Sequence, residues 1–463
     1  MNRIKEKITK EIDKKSSTMI EFLQDLVRIP SPDGGGHKVQ EFVAKYLNEM
    51  GAEKVDVFNV DAEKLSKHPG STPLFFEHGG TKIEDKPVIV ATFKGTGEGK
   101  SLMFAGHMES STPAWEPGLV ERWKHNPWGA EIEGDLLYGK AAYNMKSGNA
   151  AAIMALKVIR DSGIKLKGDV FISTNLDEDI GCQGTVEAIR LGYKADAGIC
   201  PEPTELNLGI GSIGCQHFRV IVKGNPTYSS GISAIEKAIK ICYSIKELSD
   251  NRQKNYSKPF FKKHPEIFGS YSSGITIGMF NSGVWPCTTP YEAVIEGSIR
   301  HVPGEDIEDV RKQFRDQIKK CAEQDFFMRD NLPKVEFWEY WVDSLLDNNA
   351  PIVKTVNESF KEIKGKYPGH ILSVGDAAPL TRYGNTPSVY LGVKRGLAEN
   401  EYFFGGENIE SSSALVEETI SIKSYIELIK IYTMAIINWC GIEFGQYYHL
   451  SLLLFWQYGA NAF

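Results

Sequence analysis

Leu102 to Ala105 form an apolar run with no polar break, and two residues further on the chain reaches His107 and Glu109. Such a run reads as a buried strand. Side chains two apart on a strand share a face, so an imidazole and a carboxylate leave this strand end together. The pairing suits a metal-binding His whose second ring nitrogen is held by an acid, and it equally suits a lone His satisfied at a strand end. Other stretches follow the same plan. Val170 to Thr174 is apolar and runs into LDEDIG at 176–181, and a short strand ending at Ile199 runs into CPEPTE. Helical stretches separate them, Met145 to Ser162 and one ending at Arg190. Alternating strands and helices whose acidic residues collect at strand ends describe an α/β sheet with its site along the carboxyl edge.

A chain of 463 residues can bury a large core and is expected to split into two domains. The net charge of -7 comes with no basic block, so a nucleic-acid footprint is not expected. MNRIKEKITKEIDKK is charged and has no apolar core of a signal peptide, which points to a cytoplasmic protein. The seven cysteines form no C-x-x-C motif and no disulfide framework is expected. Leu450 to Trp456 is too short to span a bilayer, so no membrane partner is expected. The joint KGTGEGK is a near miss for a phosphate loop, with Lys94 where Gly is needed and a strand rather than a helix after it.

Helical spacing marks 16–29 and 39–50, whereas 61–87 mixes Pro, Gly, Lys and Glu and reads as a loop. From about Ser212 the texture changes to a smaller α+β unit ending near Trp341. The α/β pattern then resumes and closes with a helix from Ile420 to Asn438. The expected division is a discontinuous α/β domain, 1–211 and 342–440, an inserted α+β domain, 212–341, and a C-terminal extension, 441–463.

Across this frame the sequence resembles the M20 family of metal-dependent peptidases and deacylases, from about Thr18 to Ile436. The likeness rests on AGHMES, W…NPW…GDLLYGKAAYNMKSG, LDEDIGCQGT, PEPTE, VKG…YSSG…AI, EGSIRHVPGED and GDAAPLTRYGNTPSVYLG. It implies a zinc-aminopeptidase-like α/β catalytic domain with an inserted lid that dimerises. It further implies one or two divalent metal ions (Zn²⁺, Mn²⁺ or Co²⁺) and a Glu as general base, acting on an amide bond. By this resemblance His107 is the first metal ligand and Glu109 the acid that orients it. Glu178 is the general base, Asp179 a ligand of the second metal and Glu202 a ligand of the first.

Three positions depart from the family pattern. Asn144 stands where the bridging Asp is placed, and a neutral amide offers one acceptor where a carboxylate offers two anionic oxygens. Glu410 in GGENIE stands where the last ligand is a His, and a register counted back from Glu418 gives Ala414 instead. Tyr228 in NPTYSS stands where the substrate-polarising His is placed; it donates one hydrogen bond but carries no positive charge. Cys287 and Ala378 are smaller departures of the same kind.

The reading these residues support is a hydrolase of a small N-acyl amino acid or peptide with an altered metal centre. Two alternatives stay open: a degenerate relative that binds an amino-acid-like ligand or a partner without hydrolysis, and a metal-free reaction using Glu178. Arg300 is expected either to face the cleft and pair a substrate carboxylate or to form an ion pair inside the lid. Trp115, Trp123 and Trp128 either wall an apolar pocket or pack within their loop, and His217 and His301 read as lid-sheet residues.

Overall fold

The computed structural model describes residues 2–32, 36–72, 77–78, 81–110, 123–226, 231–268, 273–396 and 417–443. Its larger part is a nine-stranded mixed sheet. The strand Leu102–His107 lies in its middle, buried at every position, and pairs in parallel with Val170–Asn175 and Ala197–Cys200. An unbroken apolar run demands this place, because both faces of a parallel strand are covered.

Helices supply the cover. Ser147–Asp161 is buried around most of its circumference, and its alanines 150, 151, 152 and 155 combine high helix propensity with close approach. Gly148 shows how close: a Cβ there would stand 2.0 Å from the Pro201 carbonyl oxygen. The apolar Ile422–Cys440 packs beside it, capped by the Ser421 side chain accepting from Ser424 N–H at 3.1 Å. Gln183–Arg190 and Ala377–Arg382 cover the opposite face. Strands Ser344–Leu345, His370–Ser373 and Ser388–Tyr390 join this same sheet, so it is built from chain on both sides of residues 214–341.

Between them stands a four-stranded antiparallel sheet in the order Ile275–Ser282, Glu292–His301, Gly214–Lys223, Lys334–Trp341. Its alternation is clean: Phe218, Val220 and Val222 are buried against helices Ala234–Arg252 and Ile307–Glu323, while His217, Arg219 and Ile221 point the other way, half-buried. Phe314, Ile318 and Ile295 complete a core separate from that of the large sheet.

The N-terminal stretch, read from the sequence only as charged, is a helix, Asn2–Lys14, because Ile4, Ile8 and Ile12 repeat every four residues and the last two are buried. Two local expectations need correction. The stretch 61–87 holds a short helix, Ala62–Leu65, capped by Asp61 and pinned by Val60, Leu65 and Ile83 against Val88, Ile180 and Val186. The helix expected from Met145 begins at Ser147, because Asn144 and Met145 have non-helical backbone angles. No described helix is long and apolar enough to cross a membrane.

Candidate metal centre

The candidate site gathers at the carboxyl ends of the central parallel strands. His107 ends its strand at 4% exposure, held by Asn149 Nδ2–H donating to its carbonyl at 2.7 Å. Its Nδ1 lies 3.3 Å from Glu109 Oε2, an ion-pair distance without hydrogen-bond alignment, and Glu109 Oε1 accepts the Glu178 main-chain N–H at 2.7 Å. One acid therefore grips both the imidazole and the backbone of the second carboxylate. On the other side of the ring, Nε2 is 2.9 Å from Asn144 Oδ1 and 3.5 Å from Glu202 Oε1.

Ligand atoms of His107, Glu178 and Glu202 lie within 4.8 Å of one another, and all three residues are buried. Among the described residues no other group of three His, Cys, Asp or Glu side chains converges so closely. Asp179 stands outside this trio, half-buried, near enough for its charge to act on both Glu178 and Glu202. Tyr228 and Glu410 lie outside the described residues, as do Ala414 and Trp115. Arg300 is exposed on the strand Glu292–His301, in register with Cys215.

Behind the trio lies a second layer of buried acids. Asp376 Oδ1 accepts from Asn175 Nδ2–H at 2.9 Å and Thr185 Oγ–H at 2.5 Å. Asp177 Oδ2 accepts from Gly184 N–H at 2.6 Å, so Asp177 ties down the helix Gln183–Arg190 and leaves Glu178 to the site. The sequence reading gave Asp376, Asn175 and Thr185 no role. A signal for Asn175 was present, since it ends an apolar strand directly beside His107 in the parallel register. Lys146 is buried too; its Nζ–H groups donate to the Leu26 and Ile29 carbonyls at 2.9 and 2.7 Å, and burial holds its pKa down to about 7. It ties the end of the helix Ser16–Arg28 to the turn that carries Asn144.

So many acids in one dry place repel one another. Burial, then the charges of Glu202 and Asp179, raise Glu178 well above the carboxylate range. Burial raises Glu202 to about 8 against the pull of His107, with Asp376, Glu109 and Asp179 adding to the rise. Asp177 reaches about 8 through burial, Glu109 and Asp376, although Lys86 opposes it. Burial disfavours charge on His107, yet Glu109, Glu202 and Glu178 outweigh it and raise its pKa well above 6.5. Glu109 Oε2, Glu202 Oε1, Asp177 Oδ1 and Asp376 Oδ2 are buried without a hydrogen-bond partner. Buried carboxylate oxygens in this state call for a cation. One imidazole nitrogen with carboxylate oxygens is a donor set that Zn²⁺, Mn²⁺ and Co²⁺ accept, so these residues fit the divalent metal that the resemblance implies.

The family model for Peptidase family M20/M25/M40 matches residues 103–438. N-formyl-4-amino-5-aminomethyl-2-methylpyrimidine deformylase of Bacillus subtilis (strain 168) is 23% identical over 460 residues, which cover 94% of this chain and 97% of that protein. Succinyl-diaminopimelate desuccinylase of Ehrlichia ruminantium (strain Gardel) is 29% identical over 180 residues, 36% of this chain and 46% of that protein. Among solved structures, the dipeptidase Dug1p from Saccharomyces cerevisiae superposes with a TM-score of 0.71 at 14% identity, covering 95% of this chain and 99% of that one. With a match spanning more than half its length and the M20 fold around a buried His and acid cluster, the chain belongs to peptidase family M20/M25/M40.

Proposed function

We propose that the protein is a metal-dependent hydrolase that cleaves an amide bond in a small N-acyl compound, through a metal centre altered at Asn144. The convergence of His107, Glu178 and Glu202 ligand atoms within 4.8 Å is the observation that carries this reading. A bound Zn²⁺, Mn²⁺ or Co²⁺ supplies Lewis acidity toward the amide carbonyl and positive charge among the buried acids. His107 and Glu202 would hold it, with the Asn144 Oδ1 as a neutral donor, and Glu109 fixes the His107 ring through Nδ1. Glu178, buried beside His107 and Glu202, takes the proton of the attacking water and passes it to the leaving amine. Asp179 would hold a second ion, and Arg300 would pair a carboxylate on substrates that carry one.

The deformylase relative spans nearly the whole chain, so an N-formyl aminomethylpyrimidine is the first substrate to try, followed by N-succinyl and N-acetyl amino acids. Binding without hydrolysis is favoured by one observation, the neutral amide of Asn144 at His107 Nε2. Metal counting and acyl release on the same protein separate the two. The hydrolase reading expects about one ion or more per chain after incubation with Mn²⁺, Zn²⁺ or Co²⁺. It also expects acyl release that Glu178→Gln lowers by about 10²–10⁴-fold. Fewer than one ion per chain, with no release from the panel, overturns it.

Residues 212–341 serve in this reading as the lid, and two copies join through the edge strand Ile275–Ser282. Its exposed Met279 and Phe280, with Val284, Trp285 and Tyr291 beyond it, support that pairing. Seven free cysteines fit a reducing cytoplasmic compartment, with a small molecule as partner rather than nucleic acid or membrane.

A further inference from the structure

A row of half-buried rings runs along the face of the four-stranded sheet turned away from its helices. Trp338 pairs in register with His217, their ring centroids 6.3 Å apart, and Trp341, past a bulge on the same strand, meets the His217 ring edge-on at 5.7 Å. The row is anchored at the candidate metal centre, because Trp341 donates its indole N–H to the Glu178 carbonyl oxygen at 3.2 Å. At the far end Arg219 lies over Trp338 at 5.0 Å, its charge met by Glu296 at 2.7 Å and Glu336 at 3.6 Å.

The core of this sheet does not need these rings. Phe218, Phe314 and their neighbours fill the helix-facing side, and the outward positions of a half-covered sheet are ordinarily polar. Three rings on that side, tilted to one another by 51° and 69°, reaching the Glu178 carbonyl at one end and flanked at the other by an Arg that two acids neutralise, make an aromatic wall. A planar ring laid against it gains offset stacking beyond the area it buries, whereas a saturated ring of equal size gains only the area.

We infer that Trp341, His217 and Trp338 form a specificity wall for a planar aromatic or heteroaromatic group that the substrate carries beside its scissile amide. This rests on the hydrolase reading and names the residues that choose its substrate. The test uses two amines of similar size and charge that offer no amide to cleave, benzylamine and cyclohexylmethylamine, titrated into the full-length Mn²⁺-supplemented protein and followed by tryptophan fluorescence. Benzylamine is expected to bind about five- to tenfold more tightly. His217→Leu and Trp338→Leu are each expected to remove most of that preference while leaving the metal content unchanged; should Trp338→Leu fail to fold, His217→Leu decides alone. Equal affinity for the two amines, or a preference that survives the substitutions, overturns the inference. Because the readout is binding, a ring preference in a protein with no amidase activity sinks the hydrolase reading and keeps the wall. Amidase activity without ring preference does the reverse.

Discussion

At His107 Nε2 an amide and a carboxylate stand side by side, Asn144 at 2.9 Å and Glu202 at 3.5 Å. The resemblance implies a bridging Asp where Asn144 stands, and in the proposed reading supplying that negative charge is expected to strengthen metal binding. Asn144→Asp should raise Mn²⁺ or Zn²⁺ affinity about tenfold or more, measured by competition with a chelator. Unchanged affinity would mean that Asn144 takes no part in holding the ion. Strand ends marked the places of His107, Glu109, Glu178 and Glu202 in the sequence, and the family resemblance singled them out there. Asp376 is not legible in this way, since it reaches the cluster from 201 residues beyond Asn175 in the chain, and only folding brings the two into a hydrogen bond.

Among the elements, the hairpin Glu131–Glu133 and Leu136–Tyr138 is joined by Thr419–Ser421 into a three-stranded sheet beside the centre. His125 locks this joint. Its Nδ1 is 3.1 Å from Glu417 Oε2, its Nε2 is 3.4 Å from Glu133 Oε1, and its ring stacks on Tyr138 at 3.7 Å. Burial works against charge on His125, but Glu417 and Glu133 raise its pKa above 6.5. A His with a raised folded pKa stabilises fully below the unfolded value, and the contribution is lost as pH rises through the folded value. The Glu133 side chain is 68% exposed, so solvent screening trims its share. His125→Gln should lower the apparent Tm by about 1–2 °C at pH 6 and leave it unchanged well above pH 9, by thermal scan. An equal loss at both pH values would assign His125 to packing alone. The sequence hides this joint, because His125 and Glu417 are 292 residues apart.

For the whole molecule, the acid cluster makes stability depend on pH and on metal together. Glu202 and Asp177 stand at about 8 in the folded chain, far above the ordinary carboxylate value, so the folded state keeps protons that the unfolded state has released. Stability from these groups is fully present below about pH 4 and falls as pH rises toward 8, and His107 loses its contribution in the same direction. Chelator-treated protein should therefore show an apparent Tm that declines between pH 5 and pH 8, and added Mn²⁺ or Zn²⁺ should flatten the decline by binding the folded state. A flat profile without metal would contradict the picture of mutually repelling buried acids. The proposed pairing of two copies is tested by Phe280→Lys with Val284→Asp. Light scattering should then read about half the wild-type mass, since charge on an edge strand blocks pairing.

By itself the sequence determined which strands are buried, where polar residues leave them, and that a smaller α+β unit interrupts the α/β pattern, because hydrophobic period and turn residues are local properties. The resemblance, in turn, implied an acid at the place of Asn144. Only the tertiary structure decided that Glu109 grips both His107 and the Glu178 backbone, that Asp376 stands behind them, and that Trp341 from a different sheet touches Glu178. Those contacts join residues dozens to hundreds of positions apart, and their strength comes from burial in a low dielectric, which exists only after the sheet, its helices and the four-stranded unit have closed around them.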